Sequence, residues 1–259
     1  MQIIRYESTD STQQRAREYL GKKTLTNGEP IVFTAAQQTA GRGRLERQWI
    51  SPPGGLYLTY VHQLRSAVNA GPLSLRTGLI TSRALEKVSG LNAGVLQIKW
   101  PNDLYVHGRK LGGILCEVIH AGGAQYVLIG VGININTQPC EQAGDSTGSA
   151  GVPARAISLR EVTGRSFDVD QVAQELIYAL QAGLPEEAGG VLSSEETGAI
   201  EARLRGKGEE ITLLLPGGET IRGRLAGING EGTLRIILKT GEFTVPGGAQ
   251  VVEIQDTST

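Results

Sequence analysis

The sequence predicts an α+β fold: a sheet-and-helix core followed by a small C-terminal barrel of the SH3-like kind. Three observations lead there. Continuous or alternating apolar runs at 31–38, 56–62 and 96–136 read as strands. Helical periodicity at 74–90 and 168–181 reads as helices that pack on them. Past residue 206 the pattern changes to five short strands, separated by "PGGE", "NGEG", "TG" and "PGGA", a spacing that suits a small barrel. The chain accordingly divides into 1–205 and 206–259.

In order along the chain, "IIRY" is a short strand. "DSTQQRAREYL" is a helix with Asp10, Ser11 or Thr12 as its cap and Gly21 as its stop. "IVFTAAQQ" (31–38) is a strand that runs into "GRGRLERQW", and "LYLTYVH" (56–62), bounded by "SPPGG", is the next. A helix spans Ser74 to Gly90, with Ile80, Ala84, Val88 and Leu91 on one face. "LQIKW", "DLYV", "LGGILCEVIH" and "QYVLIGVGININ" form a meander that turns at "HGRK" and "AGGA". Residues 136–156, rich in Gly, Pro and Ser, read as a loop. Helices follow at "SLREVT" and "DVDQVAQELIYALQ", the second with Val169, Val172, Leu176 and Leu180 as its apolar stripe.

Hydrophobic residues make up 39% of the chain, enough for a real core, and 25 basic residues nearly cancel 26 acidic ones. No bulk field draws such a protein to nucleic acid or to a membrane. Two cysteines, Cys116 and Cys140, cannot build a disulfide framework and lack ligand-like spacing, so both read as packing thiols. The start, "MQIIRYESTD", has no apolar run of signal-peptide length, and no segment approaches ~20 consecutive apolar residues. These features point to the cytoplasm.

Against that balance "GRGRLERQW" (41–49) concentrates Arg42, Arg44 and Arg47 between two glycines. Glycine lets backbone N–H groups approach a ligand, and arginine offers planar forks that match phosphate oxygens. A solvated surface loop is the alternative. The stretch is not a dinucleotide fingerprint, since the third glycine and the following helix are missing, and G-x4-G-K-[ST] is absent. "KWPNDLYVHGRKLGGIL" (99–115) places Arg109 and Lys110 just before Gly112 and Gly113. That arrangement brings an ammonium and bare backbone to one ligand, or else it is an ordinary hairpin tip. "GVGININ" (130–136) carries Gly-x-Gly in a strand, which marks a bulge, close packing, or a surface against which a ligand presses.

Together these blocks carry a resemblance. The order D-S-T, Q-x-A-G-R-G-R-x-x-R-x-W, K-W-P-N-D-L-Y, R-K-L-G-G-I-L and G-x-G-I-N resembles that of the biotin protein ligases, also called biotin–[acetyl-CoA-carboxylase] ligases, over essentially the whole chain. Glu46 departs from it, because many members carry glycine between the last two arginines. The resemblance implies a central mixed β-sheet with helices chiefly on one face, similar to the cores of class II tRNA synthetases and lipoate ligases. It also implies a C-terminal SH3-like domain. Some members begin with a DNA-binding domain; this chain begins at the catalytic one and is expected to be of the monofunctional type, with no DNA or membrane as partner. A homodimer stays open.

The activity so implied has two steps. Biotin and MgATP give biotinyl-5′-AMP and pyrophosphate; a lysine of a biotin carboxyl carrier protein or domain then takes the biotinyl group. ATP with Mg²⁺ is co-substrate and activator, biotin is substrate, and no bound prosthetic group is expected. By the same resemblance Ser11, Thr12 and Gln38 hold the ureido ring with Arg42 and the backbone at Gly41, while Gly112, Gly113 and Leu115 line the apolar slot. Lys110 reaches the carboxylate and α-phosphate, and with Arg42, Arg44 and Arg47 it offsets the repulsion between two anions. Trp49 covers adenine and Asn134 faces the nucleotide. Asp103 holds Mg²⁺ indirectly or orients and deprotonates the incoming lysine, making Lys110, Arg44 and Asp103 the catalytic set. His62, His107 and His120 read as surface or turn residues. A lipoate ligase would need a longer apolar tunnel and no ureido-binding group; a non-enzymatic biotin-binding module would need no Lys110 at the phosphate.

Overall fold

The computed structural model describes residues 1–22, 29–64, 70–138, 156–184 and 190–255; Cys140 and most of the 136–156 loop lie outside them. β1 (Gln2–Thr9) crosses through α1 (Thr12–Lys22) to β2 (Ile31–Gln38), which pairs with it in parallel. β3 (Leu56–Leu64) turns back antiparallel. β4 (Gln97–Lys99), β5 (Asp103–Val106), β6 (Arg109–Ala121) and β7 (Ala124–Ile133) form the expected meander. The seven strands lie in the order β1-β2-β3-β7-β6-β5-β4, one parallel pair in an otherwise antiparallel sheet.

Alternation along the strands gives the sheet two faces. On one, Ile31, Phe33, Val61, Tyr126 and Leu128 pack with Ala16 and Leu20 of α1. On the other, Val32, Leu58, Tyr60, Ile129 and Val131 share a cluster with α2 (Ala70–Ser89) and α4 (Val169–Gly183). Helices thus lie chiefly on one face, with α1 opposite. α4 buries Val172, Leu176 and Leu180 of its expected stripe and is capped by Asp168, which accepts from the N–H groups of Asp170 and Gln171. α3 (Leu159–Thr163) has a capping box between Ser158 and Glu161.

Several expectations shift. α1 runs through Gly21 to Lys22. α2 begins four residues before Ser74, and its buried side is carried by Leu75, Leu79 and Leu85, with Ile80 and Val88 at the margin. The "HGRK" turn closes on His107 and Gly108 alone, so Arg109 and Lys110 belong to β6 and not to a hairpin tip. α5 (Ser194–Glu201) was not expected. Cys116 is a packing thiol: burial pushes it up to about 12.

β8 (Glu210–Leu214), β9 (Thr220–Ile228), β10 (Leu234–Leu238), β11 (Gly241–Thr244) and β12 (Gln250–Gln255) form an antiparallel sheet in the order β11-β10-β9-β8-β12. Its inner residues Leu213, Leu225 and Ile236 join the same buried cluster as α2. Trp100 ties the two sheets, its indole N–H donating to Gly232 O at 2.9 Å. The buried Arg203–Glu86 pair, at 2.6 Å, anchors the connection from α5. Among the described residues no helix is long and apolar enough to cross a membrane.

Candidate active site

A cleft opens on the α1 face of the large sheet, lined by the first turn of α1, the 42–49 segment, and parts of β3, β5, β6, β7 and β12. The empty space it bounds, open solvent included, is about 1100 Å³.

One end is uncharged and hydrogen-bonded. Ser11 and Thr12 begin α1 and are 3% and 4% exposed. Gln38, the last residue of β2, accepts from the Thr12 N–H at 2.8 Å and donates to Ser51 Oγ at 2.8 Å. Thr59 Oγ1 lies 2.8 Å from Thr12 Oγ1 and 3.0 Å from Gln13 Oε1. The hydroxyls of Thr12 and Thr59 and the amide of Gln38 therefore arrive already oriented.

The other end is cationic. Among the described residues lining the cleft, Arg42, Arg44, Arg47, Lys99 and Lys110 are basic and Asp103 alone is acidic. The 42–48 segment is a tight hairpin: Arg42 pairs with Gln48, and the Gly43 N–H donates to Arg47 O at 2.7 Å. Its tip holds Leu45 and Glu46 at φ of 55° and 59°, the left-handed region that glycine takes readily. Arg44 reaches inward to Asn102 Oδ1 at 3.3 Å. Burial pulls its guanidinium below the usual value and Arg47 adds to that, while Asp103 opposes both. Arg47 donates to Gln250 Oε1 at 2.6 Å, so β12 supplies part of the wall.

Lys110 is placed by an irregularity. Strict alternation would set residues 110 and 113 on opposite faces. Tyr105 pairs with Lys110 and Leu104 with Gly112, which leaves Leu111 as an extra residue. Its carbonyl is taken up by the Asn134 N–H at 2.9 Å. Lys110 then joins Gly113 on the cleft side, with Nζ 3.1 Å from Asp103 Oδ1 and 5.4 Å from the centroid of the Trp49 ring.

The Gly-x-Gly of β7 makes room for side chains. A Cβ on Gly132 would lie 2.6 Å from Trp49 Nε1, and one on Gly130 would lie 2.8 Å from Gln13 Oε1. Trp49 thereby packs against the sheet at Gly132 and is 8% exposed.

The cleft gathers Ser11, Thr12, Gln38, Arg42, Arg44, Arg47, Trp49, Asp103, Lys110, Gly113 and Leu115. Three expected residues do not line it. Gly41 is packed inward, where a Cβ would lie 2.4 Å from Trp49 O. Gly112 faces the other side of the sheet, toward Ile133, because successive strand residues alternate and its neighbour Gly113 faces the cleft. Asn134 is 2% exposed behind Leu111, and its Nδ2 has no partner among the described residues. His107 sits in the turn and His120 is exposed, but His62 is half-buried with both ring nitrogens enclosed, which corrects its reading as a surface residue. Asp103 is engaged by Lys110, and among the described residues no group of three His, Cys, Asp or Glu is arranged to hold a metal. The sequence reading assigned no role to Gln13, Thr59, Lys99, Asn102 or Gln250. Only the lysine and asparagine of K-W-P-N-D lay inside a block that drew notice.

The model of the biotin/lipoate A/B protein ligase family matches residues 6–134. The chain is 38% identical over 178 residues to a bifunctional ligase/repressor of Salmonella typhimurium, covering 68% of this chain and 51% of that one. It thus spans about half the length of the first curated relatives it matches. It is 30% identical over 220 residues to a biotin–[acetyl-CoA-carboxylase] ligase of Mycobacterium tuberculosis, covering 83% of this chain and 75% of that one. Among solved structures, it matches a biotin protein ligase from Aquifex aeolicus in complex with biotin and ATP. The TM-score is 0.77 at 28% identity, covering 96% of this chain and 99% of the other.

Proposed function

Because this chain belongs to the biotin/lipoate A/B protein ligase family, we propose that its cleft couples biotin to ATP, giving biotinyl-5′-AMP and pyrophosphate, and then passes the biotinyl group to a lysine of a biotin carboxyl carrier protein or domain. One observation carries this reading. A single cleft joins a neutral hydroxyl-and-amide end, suited to a ring urea, to an end with five cations and one carboxylate. The bound biotin and ATP of the Aquifex aeolicus structure support both as substrates.

In the first step a biotin carboxylate oxygen attacks the α-phosphorus and the bond to pyrophosphate breaks. Both reactants are anions, so catalysis rests on cations already in place. Lys110, held by Asp103, and Arg44, held by Asn102, face the reacting phosphate; Arg42 and Arg47 close the hairpin over it. Mg²⁺ would enter with ATP as part of the substrate and add positive charge at the phosphates. In the second step the amine of the acceptor lysine attacks the acyl carbon and AMP leaves. Asp103 is assigned the proton that the amine must lose, being the carboxylate on the cleft wall. Trp49 offers its ring to adenine. The C-terminal sheet is read as the SH3-like domain, with the boundary between 205 and 206.

The test is biotin-dependent pyrophosphate release from MgATP, followed by streptavidin detection of a carrier domain incubated with the enzyme. Isothermal titration with biotin and with lipoate decides the substrate. Binding of lipoate without binding of biotin overturns the reading.

A further inference from the structure

A line of hydrogen bonds runs behind the neutral end of the cleft, and its proton directions are fixed from its far end. Arg17 holds the Glu117 carboxylate, which can only accept. Gln13 Nε2 lies 2.8 Å from Glu117 Oε2 and 3.2 Å from Leu115 O, two acceptors, so the nitrogen of that amide must face them. Gln13 Oε1 is left toward Thr59, 3.0 Å away. It cannot donate, so the single Thr59 proton goes to it. Thr59 Oγ1 must then accept from the Thr12 hydroxyl at 2.8 Å. The Gln38 oxygen, which receives the Thr12 N–H at 2.8 Å, is the more distant second acceptor for that hydroxyl at 3.2 Å, and it too lies away from any ligand. Thr12 therefore turns only lone pairs toward the cleft.

We propose that Thr59 and Gln13 are positioning residues that fix Thr12 as a hydrogen-bond acceptor, so that this end of the cleft selects a ligand presenting an N–H. The inference rests on the ligase reading above and goes further, to what enforces substrate choice. A ring that presents oxygen or sulfur at the same place meets lone pairs with lone pairs. Specificity is then set by residues whose effect passes through Thr12, and by a carboxylate half-buried at the far side of α1.

The probe pair is biotin and its isosteric cyclic carbonate, in which oxygen replaces both ureido N–H groups. Dissociation constants are measured by isothermal titration for wild type, Thr59→Val and Thr59→Ser. Wild type should favour biotin strongly. In Thr59→Val the Thr12 hydroxyl loses its nearer acceptor, keeps only the longer contact to Gln38, and is freer to turn into the cleft. Biotin should weaken about tenfold, the worth of one buried hydrogen bond. The carbonate should weaken less or gain, so the preference collapses; Thr59→Ser, which keeps the hydroxyl, should retain it. A residue that merely packs would weaken both ligands equally, and an unchanged preference in Thr59→Val overturns the inference while biotin binding by wild type stands. If wild type binds no biotin, the ligase reading fails and takes the inference with it.

Discussion

Replacing Lys110 by alanine should slow biotinyl-5′-AMP formation severely while the fold stands. The ammonium is 12% exposed and 3.1 Å from Asp103 Oδ1, a place where water screens little. Removing one preorganised donor aimed at developing charge costs about 2.7–4 kcal/mol. At ~1.36 kcal/mol per tenfold, the loss in rate is about 10²–10³. A second effect adds to the first. Asp103, itself 19% exposed, is left facing the phosphates with no ammonium beside it. Adding Asp103→Asn to Lys110→Ala should therefore recover about tenfold, a departure from additivity expected of residues in contact. Single-turnover pyrophosphate release at saturating biotin and MgATP is the assay, with thermal melting as the check on folding. A Lys110→Ala rate within about threefold of wild type, or a double variant slower than the single, refutes the reasoning.

Three further outcomes are expected. Gly132→Ala puts a Cβ 2.6 Å from Trp49 Nε1 and 2.8 Å from its Cε2; the displaced ring should weaken ATP binding about tenfold, with about 1–3 kcal/mol lost in urea denaturation, and an unchanged ATP affinity counts against Trp49 as an adenine platform. Glu46→Val places a β-branched residue at a φ of 59°, so trypsin should cut faster after Arg44 and Arg47, whereas Glu46→Gly should leave the hairpin intact; equal digestion of both variants refutes a strained tip. The Glu196 carboxyl is held below its ordinary value chiefly by Arg76. A depressed carboxyl adds stability that is fully present above its unfolded pKa, about 4.3, and is lost as pH falls through the folded value. The denaturation midpoint should therefore hold from neutral pH to about 5 and drop below about 4, with a shallower drop in Glu196→Gln.

The sheet was legible where burial was one-sided or complete. Residues 31–36 are apolar but for Thr34 and are preceded by Pro30, so β2 is read at its true ends. α2 was harder. Pro72 stands in its first turn, where a missing N–H costs nothing, and the sequence reading started the helix after it. Thr77, Thr81, Ser82 and Glu86 are buried as well as the leucines, so periodicity could not tell which face was inside. α5 carries a Ser193–Glu196 capping box, but it buries Ile200 alone and offers no stripe. The cationic half of the cleft was legible because its arginines are neighbours in sequence. Thr59 and Gly130 meet only through the pairing of β3 with β7, and Gln250 reaches Arg47 from 203 residues away. No local pattern announces such contacts.

The extra residue at Leu111 means that the reactive ammonium is aimed by a count, not by its own identity. Deleting Leu111 would leave every side chain of the cleft in the chain and let Tyr105 and Leu104 pair with consecutive residues of β6. Regular pleating would then keep Lys110 on the cleft side with Gly113, since Gly112 alone would stand between them; a regular ladder with Leu111 still in it is what would turn Lys110 toward the apolar cluster around α2. In this segment the aim of Lys110 therefore depends on the extra residue being set aside from the ladder, and losing that residue would not by itself turn the ammonium away. Chains that differ at many positions between 103 and 113 can share one chemistry, provided that Lys110 and Gly113 stay on one face, either across a bulge or with one residue fewer between them.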